Sequence, residues 1–450
     1  MAATIFDSHV FRDIFTTEAM RAVFSDENRV QKYLDFEAAL ARAEAGLGLI
    51  PKDAAAEIVK HCAADKIDMA KLKEATEKIG APVLPVTKQL TALCAGKHGE
   101  WVHWGATTQD VTDTATVLQI KEALALVEGE IDAICDALAE LAKKYRDTPM
   151  AGRSKLQQAV PVTFGYKMAT VLAAFARHKQ RLNEMKPRVL VGEFGGAAGT
   201  LSSLGNDGLK VQEALMRELG LGAPDITWHT VRDTFGEVGC FLGLLTGTCG
   251  KIALDVKLLM QTEVGEVSEP AGEGRGSSST MPQKRNPISS VYITAQTAIV
   301  KQLVAALLEA QVEDHERGTG PWEIEWIVLP EIFMLTAGAL KQTRVILEGI
   351  EVNAKKMRDN LNITNGLIMS EAVMMGLGHA MGRDTAHHLV SDLAKEAAKT
   401  GKPLIDLLAA NKEIAKHADR KKLEALMDPA NYLGVAGAMV DRVVAKRKNK

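Results

Sequence analysis

Apolar residues recur along this chain at three- and four-residue spacing almost everywhere, and the strict alternation of a half-buried strand is almost absent. From Arg29 to Ala45 the stripe is Val30, Leu34, Ala38 and Ala41, and it stops at Gly46-Leu47-Gly48. Shorter helical pieces follow, broken at Pro51, Gly80 and Pro85. The character changes at Asp110. From there to Arg146 there is no proline and one glycine, Gly129, while Leu118, Leu124, Ile131, Ile134, Leu138 and Leu141 mark a buried side. Such a helix extends roughly 50 Å at about 1.5 Å per residue. Comparable segments recur at Val162–Lys186, His229–Glu263, Pro287–Glu313 and Glu323–Glu348. Five helices of this length predict an elongated bundle. Beyond Val352 the segments shorten, with breaks at Gly366, Gly376, Gly382 and Gly401-Lys402-Pro403. The expected fold is all-α, in three helical domains: a head over 1–109, a central long-helix bundle over 110–351 and a tail over 352–450.

Small residues punctuate the bundle, as in Gly239, Gly243, Gly247 and Gly250. Glycine in a helix interior costs about 1 kcal/mol relative to alanine, so a run of them predicts close helix–helix approach.

Composition narrows the function. The chain has 54 basic and 57 acidic residues, a net charge of -3, which makes no case for nucleic acid or an anionic membrane as partner. No stretch is read as a membrane span, and the N-terminus lacks the basic and apolar regions of a secretory signal. Five scattered cysteines without a Cys-x-x-Cys pair read as reduced thiols of a cytoplasmic protein.

Four polar clusters interrupt the helices, each at a helix boundary. They are His103-Trp104-Gly105-Ala106-Thr107-Thr108-Gln109-Asp110, Gly152-Arg153-Ser154-Lys155-Leu156-Gln157, Gly276-Ser277-Ser278-Ser279-Thr280-Met281-Pro282-Gln283-Lys284-Arg285-Asn286-Pro287, and His315-Glu316-Arg317-Gly318. A weaker fifth is His229-Thr230-Val231-Arg232. Thr107 or Thr108 is placed to cap the first long helix and leave backbone N–H groups for an anion. There is no nucleophile elbow, phosphate loop or dinucleotide fingerprint, and the histidines do not pair at metal-ligand spacing, so neither metal nor cofactor is expected. Cations, hydroxyls and amides suit a small polycarboxylate and chemistry at a carbon beside a carboxylate.

The serine loop resembles the Gly-Ser-Ser-x-Met-Pro-x-Lys-x-Asn-Pro signature of the fumarase/aspartase superfamily, matched from Ser278 through Pro287 with Ser277 replacing the leading glycine. The first two clusters fall where that superfamily has its other signature blocks, and the resemblance covers nearly the whole chain. Within it, His315-Glu316-Arg317…Trp322…Glu325-Trp326 and Trp228-His229-Thr230…Arg232-Asp233 are similar to the carboxymuconate cycloisomerase branch, with adenylosuccinate lyases next.

The resemblance implies a homotetramer whose bundles form a twenty-helix core, with each site built from three subunits. It implies Ser278 as general base, Lys284 stabilising its alkoxide, and Lys284 with Asn286 binding the aci-carboxylate intermediate. Thr107 and Thr108 would hold another part of the substrate, and Arg232 and Arg317 the remaining carboxylates. His103, Gln109, Ser154, Gln157, His229, Ser279 and Met281 complete the candidate substrate contacts. Many lyases of the superfamily carry Thr-His in the second block, where this chain has Ser154-Lys155. Lysine, with an ordinary pKa of about 10.4, is a poor acid at neutral pH unless burial lowers it. Lys155 is thus the acid, a carboxylate-binding cation or a solvated cap residue. Ring closure by a substrate carboxylate needs no protonated leaving group, which favours a cycloisomerase. The alternatives are a C–N lyase releasing fumarate from a succinyl-amine and a catalytically inactive structural homologue.

Overall fold

The computed structural model describes residues 4–270, 272 and 274–448. Ala271 and Glu273, in the glycine-rich approach to the serine loop, lie outside the described residues. The fold is all-α in character. Its five long helices span Thr108–Lys144, Phe164–Val189, Asp233–Met260, Ile288–Glu309 and Pro321–Gly349, each within a few residues of the bounds that apolar periodicity predicts. Periodicity does not foresee an antiparallel hairpin, Pro149–Ser154 with Gln157–Thr163, ahead of the second long helix. Nor does it foresee a short pairing of Val267–Ser268 with Glu351–Val352. The hairpin buries Met150 and Ala151 on one strand and Pro161 and Thr163 on the other. On the first strand the buried positions are adjacent and do not alternate, so the hairpin leaves little signal in the sequence.

Contacts divide the chain into two compact units, one of residues 1–131, 178–249 and 292–341, the other of 132–177, 250–291 and 342–450. Every long helix contributes to both. In the first unit the head helix Asp26–Leu47 starts at Ser25, whose hydroxyl accepts the Asn28 amide at 3.2 Å, and ends at Gly48 with φ +77°. Its Tyr33, Leu34, Phe36 and Leu40 join a core with Val111, Ala115, Phe194 and Leu215. The third and fourth long helices approach closely here. A Cβ on Gly239 would stand 2.6 Å from the Leu307 side chain, and one on Gly243 would stand 3.3 Å from Val304. Gly247 faces open space, so the close approach involves the earlier part of the glycine run. In the second unit, Lys167 of the second long helix pairs with Asp255 of the third at 2.9 Å. The tail has its own core of Val373, Leu377, Val390, Leu404, Leu408 and Leu423.

One sequence expectation is corrected. By length and composition alone, Asp233–Met260 and Ile288–Glu309 are apolar enough to cross a membrane. Both are long helices of the bundle, where two or more faces must be apolar, and half of the apolar window in Asp233–Met260 is buried inside the protein.

The head helix also buries two carboxyls, Glu37 and Glu44. Neither oxygen of Glu44 has a hydrogen-bond partner. Burial, and then the charge of Glu37, push Glu44 up to about 9 from an ordinary 4.5. The folded protein therefore holds a proton there that the unfolded chain gives up. Stability from this group is full below the unfolded pKa and declines as pH rises toward about 9. Glu44→Gln should flatten that decline: the variant gains stability over wild type at alkaline pH relative to mildly acidic pH. Parallel denaturant melts across that range check it, and an unchanged slope would remove Glu44 as its source.

Candidate active site

The polar residues of the first unit gather around one carboxylate. Asp110, at the start of the first long helix, has one oxygen 2.7 Å from His229 Nε2 and accepts the Gly195 amide at 2.8 Å. Its other oxygen accepts the amides of Thr107 and Gly196, each at 3.0 Å. An ionised carboxylate only accepts, so His229 carries its proton on Nε2. Gly195 is required there: a Cβ would meet the His229 ring at 2.8 Å and Thr227 at 2.5 Å. Glu193 lies close by, both buried and pushed up to about 8 by burial. Asp110, Glu193 and His229 each offer a donor atom within 4.8 Å of the others. These donors are largely spent, because both Asp110 oxygens are taken and the Trp228 amide occupies one Glu193 oxygen.

Gln109 extends the network. Its amide nitrogen donates to the His229 carbonyl at 2.7 Å and to Asp113 at 3.1 Å. Its oxygen accepts from Arg317 at 2.8 Å. Arg317 also donates to the carbonyls of Gly196 and Ala197, at 2.9 and 3.0 Å, and meets no protein carboxylate among the described residues. A substrate carboxylate can therefore supply its counter-charge.

Arg232 is different, and here the expectation of a substrate-binding arginine is corrected. Its side chain is 0% exposed. Asp113 accepts two of its N–H groups, at 2.6 and 3.0 Å, and Glu325 accepts at 2.9 Å from Nε and again from the second terminal nitrogen. Trp228 and Phe235 stack on the guanidinium at 5.0 and 4.7 Å, and the Trp322 indole donates to Asp113 at 3.0 Å. No donor is left for a ligand. Burial opposes this charge, but Asp113 and Glu325 hold Arg232 more firmly protonated than usual. Glu325 and the nearby Glu313 are both pushed up to about 7 by burial. His229 is likewise buried and committed to Asp110, so it too shapes the site from beneath. His103 sits on the same side of the chain, with Nδ1 2.6 Å from Glu37.

The second unit holds the other candidates. Lys155 and Leu156 form the hairpin tip between paired Ser154 and Gln157, with φ +53° and +65°. Two left-handed residues make the type I′ pattern, which normally selects Asn-Gly, so a Lys-Leu tip is strained. Ser154, Lys155 and Gln157 are all exposed, and Lys155 has no ion-pair partner among the described residues. Arg153 beside them is bound bidentately to buried Glu266 at 3.0 and 2.7 Å.

In the serine loop, Ser278 Oγ accepts the amides of Met281 at 3.1 Å and Thr280 at 3.3 Å. Asn286 closes the loop, its backbone and side-chain nitrogens donating to the Gly276 carbonyl at 2.8 and 2.9 Å. Gly276 has φ +69°, and a Cβ there would stand 2.7 Å from the Asn286 carbonyl oxygen. Arg285 is tied to Glu351 at 2.9 Å, whereas exposed Lys284 forms no ion pair among the described residues. Ser279 and Met281 are also exposed. Buried Glu269 accepts the amides of Ser289 and Ser290 at 3.0 and 2.8 Å, capping the fourth long helix directly behind the loop.

The sequence reading passes over Asp110, Asp113, Glu193, Glu269 and Glu325 as organisers. Carboxylates look alike in sequence, and only Asp110 and Glu325 lie inside stretches singled out there.

With this geometry, the comparisons fix the class. The lyase family profile matches residues 14–301, and the adenylosuccinate lyase C-terminus profile matches residues 366–443. The chain belongs to this lyase family, within the fumarase/aspartase superfamily. It is 55% identical to trans-aconitate decarboxylase 1 of Mycosarcoma maydis, over 96% of this chain and 88% of that one. It is 47% identical to a 3-carboxy-cis,cis-muconate cycloisomerase of Pseudomonas aeruginosa, over 98% and 96%. The crystal structure of 3-carboxy-cis,cis-muconate lactonizing enzyme from Pseudomonas putida superposes with a TM-score of 0.93 at 43% identity, covering 98% of this chain and 99% of that one.

Removing Arg232 leaves Asp113 and Glu325 buried and unpaired. Arg232→Met should therefore destabilise the protein by about 3–5 kcal/mol. Denaturant unfolding measures it, and a loss well below that range would show that the guanidinium does not hold this network together.

Proposed function

We propose that the chain is a 3-carboxy-cis,cis-muconate cycloisomerase, forming 4-carboxymuconolactone by adding one substrate carboxylate across the substrate's own double bond. The observation that carries this reading is the pair of amides donated to Ser278 Oγ. A serine hydroxyl is too weak an acid to exchange a proton with carbon unaided. Two fixed N–H donors stabilise the alkoxide it must form, and Lys284 supplies an ammonium from the same loop. A carboxylate oxygen bonds to one alkene carbon, and the π pair moves to the next carbon as an aci-carboxylate. Ser278 protonates that carbon, and the alkoxide then recovers a proton from solution. Lys284 and Asn286 hold the aci-carboxylate, Arg317 a further carboxylate, and Thr107 and Thr108 the body of the substrate. Lys155, at its strained tip, is a carboxylate-binding cation. The nucleophile belongs to the substrate, so no leaving group needs an acid.

The site is completed in a homotetramer, each site drawing on three copies. Apolar side chains left exposed along the long helices support this: Leu244, Leu254, Val291, Ile299 and Ile327 are each more than half exposed in the single chain. A patch of that kind marks association.

A second reading follows from the 55% identity to a trans-aconitate decarboxylase. Trans-aconitate is also an unsaturated tricarboxylate, and losing CO2 from it likewise passes through a carbanion beside a carboxylate.

Purified protein should remove the ultraviolet diene band of 3-carboxymuconate. An unchanged band with CO2 released from trans-aconitate would replace the first reading by the second. Fumarate released from a succinylated amine would replace both. Ser278→Ala should lower kcat by at least about 10²-fold while light scattering still finds a tetramer. A variant that keeps wild-type turnover would overturn the assignment of the base.

A further inference from the structure

Glu37 and Glu44 take no part in the steps above, yet both are buried, and Glu37 lies against His103. They lie on one face of the head helix, 1% and 0% exposed. Glu37 Oε1 is 2.6 Å from His103 Nδ1. Glu37 Oε2 and both oxygens of Glu44 have no partner. Two carboxyls buried together do not both ionise. Since burial and the Glu37 charge push Glu44 up to about 9, Glu44 carries the proton and Glu37 the charge. His103 has φ +63°, a strained conformation outside glycine. Its side chain is 22% exposed, so the ring is not sealed in. Burial disfavours its imidazolium, but Glu37 and then Asp110 outweigh burial and raise the pKa above the ordinary value. Cys62, which also feels the Glu37 charge, is pushed up to about 12, by burial first, and stays a neutral thiol.

Either proposed reaction consumes one proton per turnover. Lactonisation turns a trianion into a dianion: a carboxylate oxygen bonds to carbon, and the displaced π pair bonds to H⁺. Decarboxylation does the same: the C–C bond to CO2 breaks, and its electron pair ends on carbon with H⁺. Release of fumarate and a free amine carries no such uniform demand.

We propose that His103 is the group through which this proton enters the site, and that Glu37, 2.6 Å from its Nδ1, is the positioning residue that orients the ring. The inference rests on the proposed function only through its proton balance.

Two measurements on the full-length protein test it. In the first, histidine-labelled protein is titrated by NMR, with Glu37→Gln beside wild type and His103→Gln for assignment. His103 should titrate above about 6.5 in wild type and markedly lower in Glu37→Gln. In the second, turnover is followed against pH. His103→Gln should lose about 10²–10⁴-fold in kcat with KM little changed. Glu37→Gln should shift the alkaline limb of kcat to lower pH, because the donor then loses its proton earlier. A merely structural role would not move that limb. A His103 titration that Glu37→Gln leaves in place, an unmoved limb, or wild-type kcat in His103→Gln each overturn the proposal. Should His103→Gln fail to fold, Glu37→Gln decides on both readouts. Protein that turns over neither tricarboxylate would sink the functional reading, while the NMR titration still decides whether His103 is held as an imidazolium.

Discussion

The first unit depends on one carboxylate with every acceptor position in use. Asp110 receives three backbone amides and one imidazole N–H. Those donors come from three separate stretches: the turn before the first long helix, the Gly195-Gly196 loop and the segment at His229. Each stretch alone is an irregular loop with unsatisfied N–H groups. A buried anion that pairs all of them turns three loops into one rigid surface, because freeing any donor would leave it unpaired in a dry interior. Thr107, Gln109 and Arg317 gain fixed positions from it.

Burial sorts the cations of the chain into two kinds. Arg232 is saturated by Asp113 and Glu325 and closed to a ligand, and Arg153 is paired bidentately with buried Glu266. Both stabilise architecture. Lys155, Lys284 and Arg317 meet no protein carboxylate among the described residues and stay within reach of solvent or half-buried. A polyanionic substrate needs the second kind. The same sorting applies to acids. Glu44, Glu193 and Glu313 are pushed upward by burial, which disfavours further like charge beside the fixed anions.

The serine loop directs backbone donors at its own hydroxyl and fixes them with two side chains. Asn286 anchors its far end to Gly276, Glu269 caps the helix behind it, and two amides converge on Ser278. No titratable side chain hydrogen-bonds the Ser278 hydroxyl among the described residues, so the proposed alkoxide relies on fixed backbone dipoles and on the Lys284 charge carried by the same loop, a case of electrostatic preorganisation.

The sequence by itself determined the all-α class, the five long helices and the serine loop. Helical periodicity and an uninterrupted signature are local properties that survive in one dimension. It also marked which helix boundaries carry polar chemistry. It could not separate Arg232 from Arg317, since both are arginines in glycine- or histidine-bearing stretches, and only burial shows that the first is consumed by Asp113 and Glu325. It missed the hairpin because the buried positions of its first strand do not alternate, and it missed Glu37 because the partner, His103, lies 66 residues away. Those decisions belong to the tertiary structure: whether a charge binds a substrate or holds the fold depends on what lies within hydrogen-bond reach once water is excluded, and that neighbour is seldom close in the chain.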